Sequence, residues 1–275
     1  RSTQQETLFP TRRSSDLVHV VGTAANGKIG LAKIERLRPE LVVLDVEMPV
    51  LDGLSTLARI AELERPPRVI MFSTLTRDGA AVTTEALTLG AADYVAKPSN
   101  ARDLRAAQAQ VREEMVTKIV ALFPRHQRRW LPAPRPTRAP RRGRPASVTR
   151  VDLLVVGAST GGPNALAELV GALPAPLPVP GLIVQHMPPV FTGFLADRLH
   201  RLGMHAVSEA RDGEPLEAGH IYVAPGGRHL EVAQAGATAA ARLHDGPPEN
   251  SCRPAVDVLF RSAVDCCGGH VLGVV

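Results

Sequence analysis

Short aliphatic runs recur along this chain, and several are followed by segments of helical spacing. LVVLD at 41–45, VIMFS at 69–73, LLVV at 153–156 and the GLIV that opens GLIVQHMP at 181–188 show no polar alternation. Such runs fit strands buried on both faces, as in a parallel sheet covered by helices. At 275 residues the chain has room for about two such domains. In the first, 18–116, VHVVGTA at 18–24 reads as a strand. Helical spacing runs over 27–37 through Ile29, Leu31, Ile34 and Leu37. Helices over 54–63, 79–89 and 101–115, with a short strand at Tyr94-Val95, complete a βα series. That repeat predicts a doubly wound parallel sheet. The second domain, 151–275, is again α/β with a parallel sheet.

The second domain is organised around VDLLVVGASTGGPNALAELV at 151–170. The aliphatic run ends in Gly157-Ala158-Ser159-Thr160-Gly161-Gly162, and Pro163 opens a helix whose Leu166, Leu169 and Val170 share a face. A Gly-rich turn between strand and helix lifts a serine hydroxyl to the sheet edge, with free helix-start amides beside it. Three readings remain at this point. GASTG satisfies the G-x-S-x-G nucleophile turn. VVGASTGG also resembles a nucleotide-binding turn, although Pro163 stands where a further glycine is wanted. An ordinary Gly-rich βα turn is the third. His186 follows at the end of the strand in GLIVQHMP, and serine and histidine on neighbouring strand ends suit a Ser–His pair.

GASTGG at 157–162 with QHMP at 185–188 closely resembles the chemotaxis protein-glutamate methylesterases, the CheB family. FTGFLADRL at 191–199, HIYVAPGGRHL at 220–230 and RPAVDVLFRSA at 253–263 extend the likeness over 151–275. The resemblance implies Ser159 as nucleophile, His186 as base, and the turn amides of Thr160, Gly161 and Gly162 around the oxyanion. It implies no cofactor for the esterase. The family's third residue, an aspartate in a GMG-x-DG turn, follows the strand that corresponds to HVLGVV at 270–275, and so falls beyond Val275. Asp245, Asp257 and Asp265 do not match that motif.

In the first domain the carboxyl edge collects Asp45, Ser73 and Lys97, a set suited to phosphoryl transfer. With Lys97-Pro98 after the last strand, the set closely resembles a response-regulator receiver, flavodoxin-like in topology. By that resemblance Asp45 accepts the phosphoryl group, Ser73 is the switch hydroxyl, Lys97 binds phosphate and Tyr94 is the rotating aromatic. A receiver begins with a strand ending in two acids that hold Mg²⁺ beside the phospho-acceptor. Here the chain enters at the second strand. The first strand and the acidic pair are therefore expected to be missing, leaving Asp45 alone as a metal ligand. Residues 1–17 have no apolar period and read as foreign or disordered sequence. The chain is thus expected to be truncated at both ends, with Mg²⁺ binding impaired, phosphate uptake poor or absent, and no esterase activity from residues 1–275 as they stand.

The linker, 117–150, contains an Arg/Pro-rich run, with nine Arg, six Pro and no acid over 124–150. Proline stiffening and a single aromatic, Trp130, favour a solvated linker over a nucleic-acid surface. Cys252, Cys266 and Cys267 lack metal-ligand spacing and read as reduced thiols of a cytoplasmic protein. No apolar run reaches membrane-spanning length. The implied function is a chemotaxis response regulator that demethylates receptor glutamates and deamidates receptor glutamines. Its partners would be methyl-accepting receptors and a histidine kinase, with the receiver covering the esterase site until Asp45 is phosphorylated. A receiver fused to a non-catalytic receptor-binding module is the alternative.

Overall fold

The computed structural model describes residues 18–98, 104–123, 150–236 and 238–275. The chain divides into two compact units, Arg1–Trp130 and Leu131–Val275. The expected foreign stretch 1–17 and the Arg/Pro-rich 124–149 lie outside the described residues.

In the first unit, side chains supply the acceptors that helix starts need. Asn26 Oδ1 accepts the Ile29 N–H at 3.0 Å and opens α1 (Gly27–Leu37). Asp52 Oδ1 accepts the Ser55 N–H at 2.7 Å and opens α2 (Gly53–Ala61). Thr76 Oγ1 accepts the Gly79 N–H at 3.0 Å and opens α3 (Arg77–Thr88). The strands β1 (Leu41–Asp45), β2 (Arg68–Ser73) and β3 (Asp93–Ala96) are parallel and lie in the order β1-β2-β3. The last helix, α4 (Leu104–Leu122), packs Met115 and Leu122 against Ile70 and Val95. Lys118 of α4 meets the buried Asp93 carboxylate at 3.0 Å, which pairs a charge that would otherwise be costly to bury.

Asp52→Ala should weaken the start of α2 by about 1 kcal/mol, read as faster amide exchange in its first turn. The Ser55 N–H holds the Asp52 carboxyl below its usual range. The cap therefore holds above that range and is lost as pH falls through the lowered value.

Two expectations change. Val18–Ala24 forms no ladder with any described strand, and Val20 and Val21 stay half exposed. An apolar segment becomes a strand only beside a neighbour that takes its N–H and C=O groups. The helix expected over 101–115 runs on to Leu122, because Val111, Met115, Ile119 and Leu122 keep an apolar stripe against the sheet. Residues 117–122, assigned to the linker from sequence, are thus helical.

The second unit opens with β4 (Leu153–Ala158), α5 (Gly162–Ala172), β5 (Gly181–Gln185) and α6 (Pro189–His200). Then come β6 (Ala206–Glu209), β7 (His220–Val223), β8 (His229–Ala235) and β9 (Thr238–His244). α7 (Val256–Cys267) and β10 (Val271–Val274) close it. Five strands form a parallel sheet in the order β10-β4-β5-β7-β6. β8 and β9 form a separate antiparallel hairpin that the sequence reading did not anticipate. The hairpin and α7 cover one sheet face, burying Leu230, Val232, Leu243 and Leu259 against Leu153, Val155 and Leu182. The chain leaves β4 for β5 on one side, and β10 joins β4 on the other. Such a switch point opens a crevice at the carboxyl ends of the strands.

Candidate active site

Ser159 sits at that switch point. β4 ends at Ala158, and Gly161 turns the chain with φ of +74°, a left-handed conformation that glycine adopts without a Cβ clash. α5 then begins with Pro163 in its first turn, where no N–H is needed. This short turn leaves Ser159 exposed at the sheet edge. β5 runs beside β4 with Gln185 opposite Ala158, so the next residue, His186, arrives alongside the serine. Ser159 Oγ lies 3.3 Å from His186 Nδ1. The His186 N–H donates to Ala158 O at 3.3 Å and ties the two strand ends together.

The cleft above them has a volume of about 700 Å³, and its lining includes Ser159, Thr160, Gly161, Gly162, His186 and Asp257. Burial pushes the His186 imidazole below its ordinary value, and the Asp257 carboxylate opposes that shift. At neutral pH the ring is uncharged. For Nδ1 to accept the serine proton, the ring's own proton must sit on Nε2. Cys252 Sγ also approaches Nδ1, at 3.7 Å, and burial followed by the Asp257 charge raises its thiol above the usual range. A hydroxyl beside a neutral imidazole, with helix-start amides adjacent, suits acyl transfer.

Of the three acids weighed from sequence, Asp257 lines the cleft and accepts from Asn250 Nδ2 at 3.1 Å. Asp245 instead pairs with Arg228 at 3.1 Å. The aspartate expected after 270–275 lies outside the described residues. Cys252 belongs to no motif and carried no signal of its own, and Gln185, although it opens the QHMP stretch, was given no role there.

In the first unit the structure brings Asp45 and Lys97 together, with Nζ 2.6 Å from Oδ1. The Glu47 N–H donates to the same oxygen at 3.1 Å. Ser73 is fully buried at the end of β2, where its hydroxyl donates to Gly79 O at 3.1 Å. Tyr94 is buried in β3, and its hydroxyl is raised well above the usual range, first by burial and then by Asp93 and Glu114. Mg²⁺ demands a near-octahedral set of oxygens. Among the described residues no group of three or more His, Cys, Asp or Glu side chains is placed to hold a metal ion. Asp45 supplies one of the carboxylates such an ion would use, with waters and phosphate oxygens as further ligands.

Residues 154–275 match the family model of the CheB methylesterase, and 8–109 match that of the response regulator receiver domain. The chain is 46% identical over 265 residues to a Nocardioides sp. protein named protein-glutamate methylesterase/protein-glutamine glutaminase, covering 94% of this chain and 72% of that protein. A Trichodesmium erythraeum protein of the same name is 44% identical over 266 residues, covering 95% of this chain and 75% of that protein. Among solved structures, the Thermotoga maritima CheB methylesterase catalytic domain is 36% identical with a TM-score of 0.44, covering 45% of this chain and 66% of that one. With identity sustained across both units, the chain belongs to the protein-glutamate methylesterase/protein-glutamine glutaminase family of receiver-linked CheB hydrolases.

Proposed function

We infer that this protein is a chemotaxis response regulator whose esterase unit hydrolyses glutamate methyl esters on methyl-accepting receptors, under control of phosphorylation in the receiver. The observation that carries the site assignment is the 3.3 Å approach of Ser159 Oγ to a neutral His186 across two parallel strands. His186 Nδ1 takes the Ser159 proton as Oγ bonds to the ester carbonyl carbon, and turn amides face the resulting oxyanion. Collapse breaks the bond to the methoxy oxygen, which leaves as methanol with the proton from His186. Water, deprotonated by the same ring, then releases glutamate and restores the serine. A glutamine side chain reacts alike and releases ammonia. A non-catalytic receptor-binding module is the weaker reading, since docking alone has no use for a serine beside an uncharged imidazole.

The partners in this reading are the receptors and a histidine kinase that phosphorylates Asp45. No helix among the described residues is long and apolar enough to cross a membrane. Receptor glutamates on cytoplasmic helices would place the reaction in the cytoplasm. Methanol release from a methylated receptor, followed against pH, tests the proposal. His186 must be neutral to act, so activity falls as pH drops through its value in the folded protein. Burial lowers that value, so the acid limb of kcat/KM should lie below about 6.5, the ordinary histidine value. Asp257→Asn removes the opposing charge and should move the limb lower still. A limb above the ordinary value would sink the neutral-imidazole assignment.

A further inference from the structure

Gln185 is 3% exposed at the end of β5. Its Nε2 donates to Ser159 O at 2.9 Å, and the Gly162 N–H donates to the same carbonyl at 2.8 Å. Its Oε1 is buried and meets no donor among the described residues. A Cβ added to Gly162 would come within 1.8 Å of that oxygen, so the amide rests directly on the start of α5. An orphaned buried acceptor is unfavourable, and a methionine of similar shape would avoid it. Packing alone therefore does not account for an amide at this position.

The Ser159–Thr160 peptide is trans and planar, so its carbonyl and its N–H point in opposite directions. Two donors hold the carbonyl on the Gln185 side. Ser159 and Thr160 line the cleft, whereas Gln185 is not part of its lining. The Thr160 N–H lies opposite that carbonyl, and among the described residues it meets no acceptor. We propose that Gln185 is a positioning residue which, by gripping the Ser159 carbonyl, aims the Thr160 N–H at the oxyanion formed when Ser159 attacks. This rests on the reading of Ser159 as nucleophile. A donor fixed in advance acts where charge develops, so its loss should lower kcat rather than raise KM.

The test uses the full-length protein and methylated receptor. Gln185→Met keeps the size but removes the donor, and kcat should fall by about 10²-fold with KM changed less than about threefold. Gln185→Glu can donate to Ser159 O only while its carboxyl is protonated. Its kcat relative to wild type should therefore climb as pH falls. It should do so at pH values where thermal unfolding shows the variant fully folded, a trend that destabilisation by a buried carboxylate would not produce. A Gln185→Met kcat close to wild type, a loss confined to KM, or a pH-independent Gln185→Glu ratio would each overturn the proposal. Should Gln185→Met fail to fold, the Gln185→Glu pH ratio decides. Ser159→Ala measured in parallel separates the two claims. If that variant stays active, the nucleophile reading itself has failed. If it is inactive while both Gln185 variants behave as wild type, only the positioning role is lost.

Discussion

Replacing Ser159 with alanine should end methanol release while leaving the fold intact. The hydroxyl is exposed on the turn and its side chain fills no core position, so stability should change by less than about 0.5 kcal/mol. Without Oγ no acyl intermediate can form, and the loss in kcat should be on the order of 10⁴-fold or more. His186→Ala should cost a similar amount, because the serine at 3.3 Å loses the acceptor for its proton. The double variant should be no worse than either single one, since groups acting as a unit are not additive. Methanol release and thermal unfolding, measured together, check the expectation. Near-wild-type turnover in either single variant would remove the Ser–His assignment, and a multiplied loss in the double variant would mean that the two act separately.

The legible parts of this molecule are those where one local rule decides. Aliphatic runs marked β1, β2, β4 and β5, although only β2, β4 and β5 are buried through most of their length while Val43 of β1 stays half exposed. Strand ends then placed Ser159 beside His186 and Asp45 beside Lys97. VHVVGTA at 18–24 has the same composition but no neighbour among the described strands, and pairing is a property of two segments. The β8–β9 hairpin was hidden by its alanines, which weaken the contrast between its two faces although Leu230, Val232 and Leu243 do point into the core. Asp257 could not be promoted from sequence, because its place in the cleft depends on where α7 starts relative to β4. Gly157 shows how tightly that start is set, since a Cβ there would fall 2.5 Å from a Val256 methyl. Gln185 escaped for the opposite reason, since its role lies in one carbonyl of another segment.

Asp45→Asn should abolish kinase-dependent phosphate incorporation and, with it, any rise in methanol release on adding kinase and ATP. In the proposed transfer the phosphorus–nitrogen bond of a kinase phosphohistidine would break as phosphorus bonds to an Asp45 carboxylate oxygen, and an uncharged amide is a poor acceptor. Lys97→Ala should separate uptake from response. The Lys97 ammonium is 2.6 Å from Asp45 Oδ1, with both side chains partly exposed. A pair so placed contributes little stability, about 0–1 kcal/mol, so the variant should fold. After transfer the site carries about −1.5 to −2 charges and three acceptor oxygens, which a cation at this position can hold in one arrangement. Without it, Asp45 should still take up phosphate but without the ammonium that anchors it, so the esterase should not be stimulated. Phosphorylated Lys97→Ala that is stimulated like wild type would show that the signal leaves Asp45 by another route. The buried Ser73 hydroxyl, now donating to Gly79 O at 3.1 Å, would then be the next group to remove.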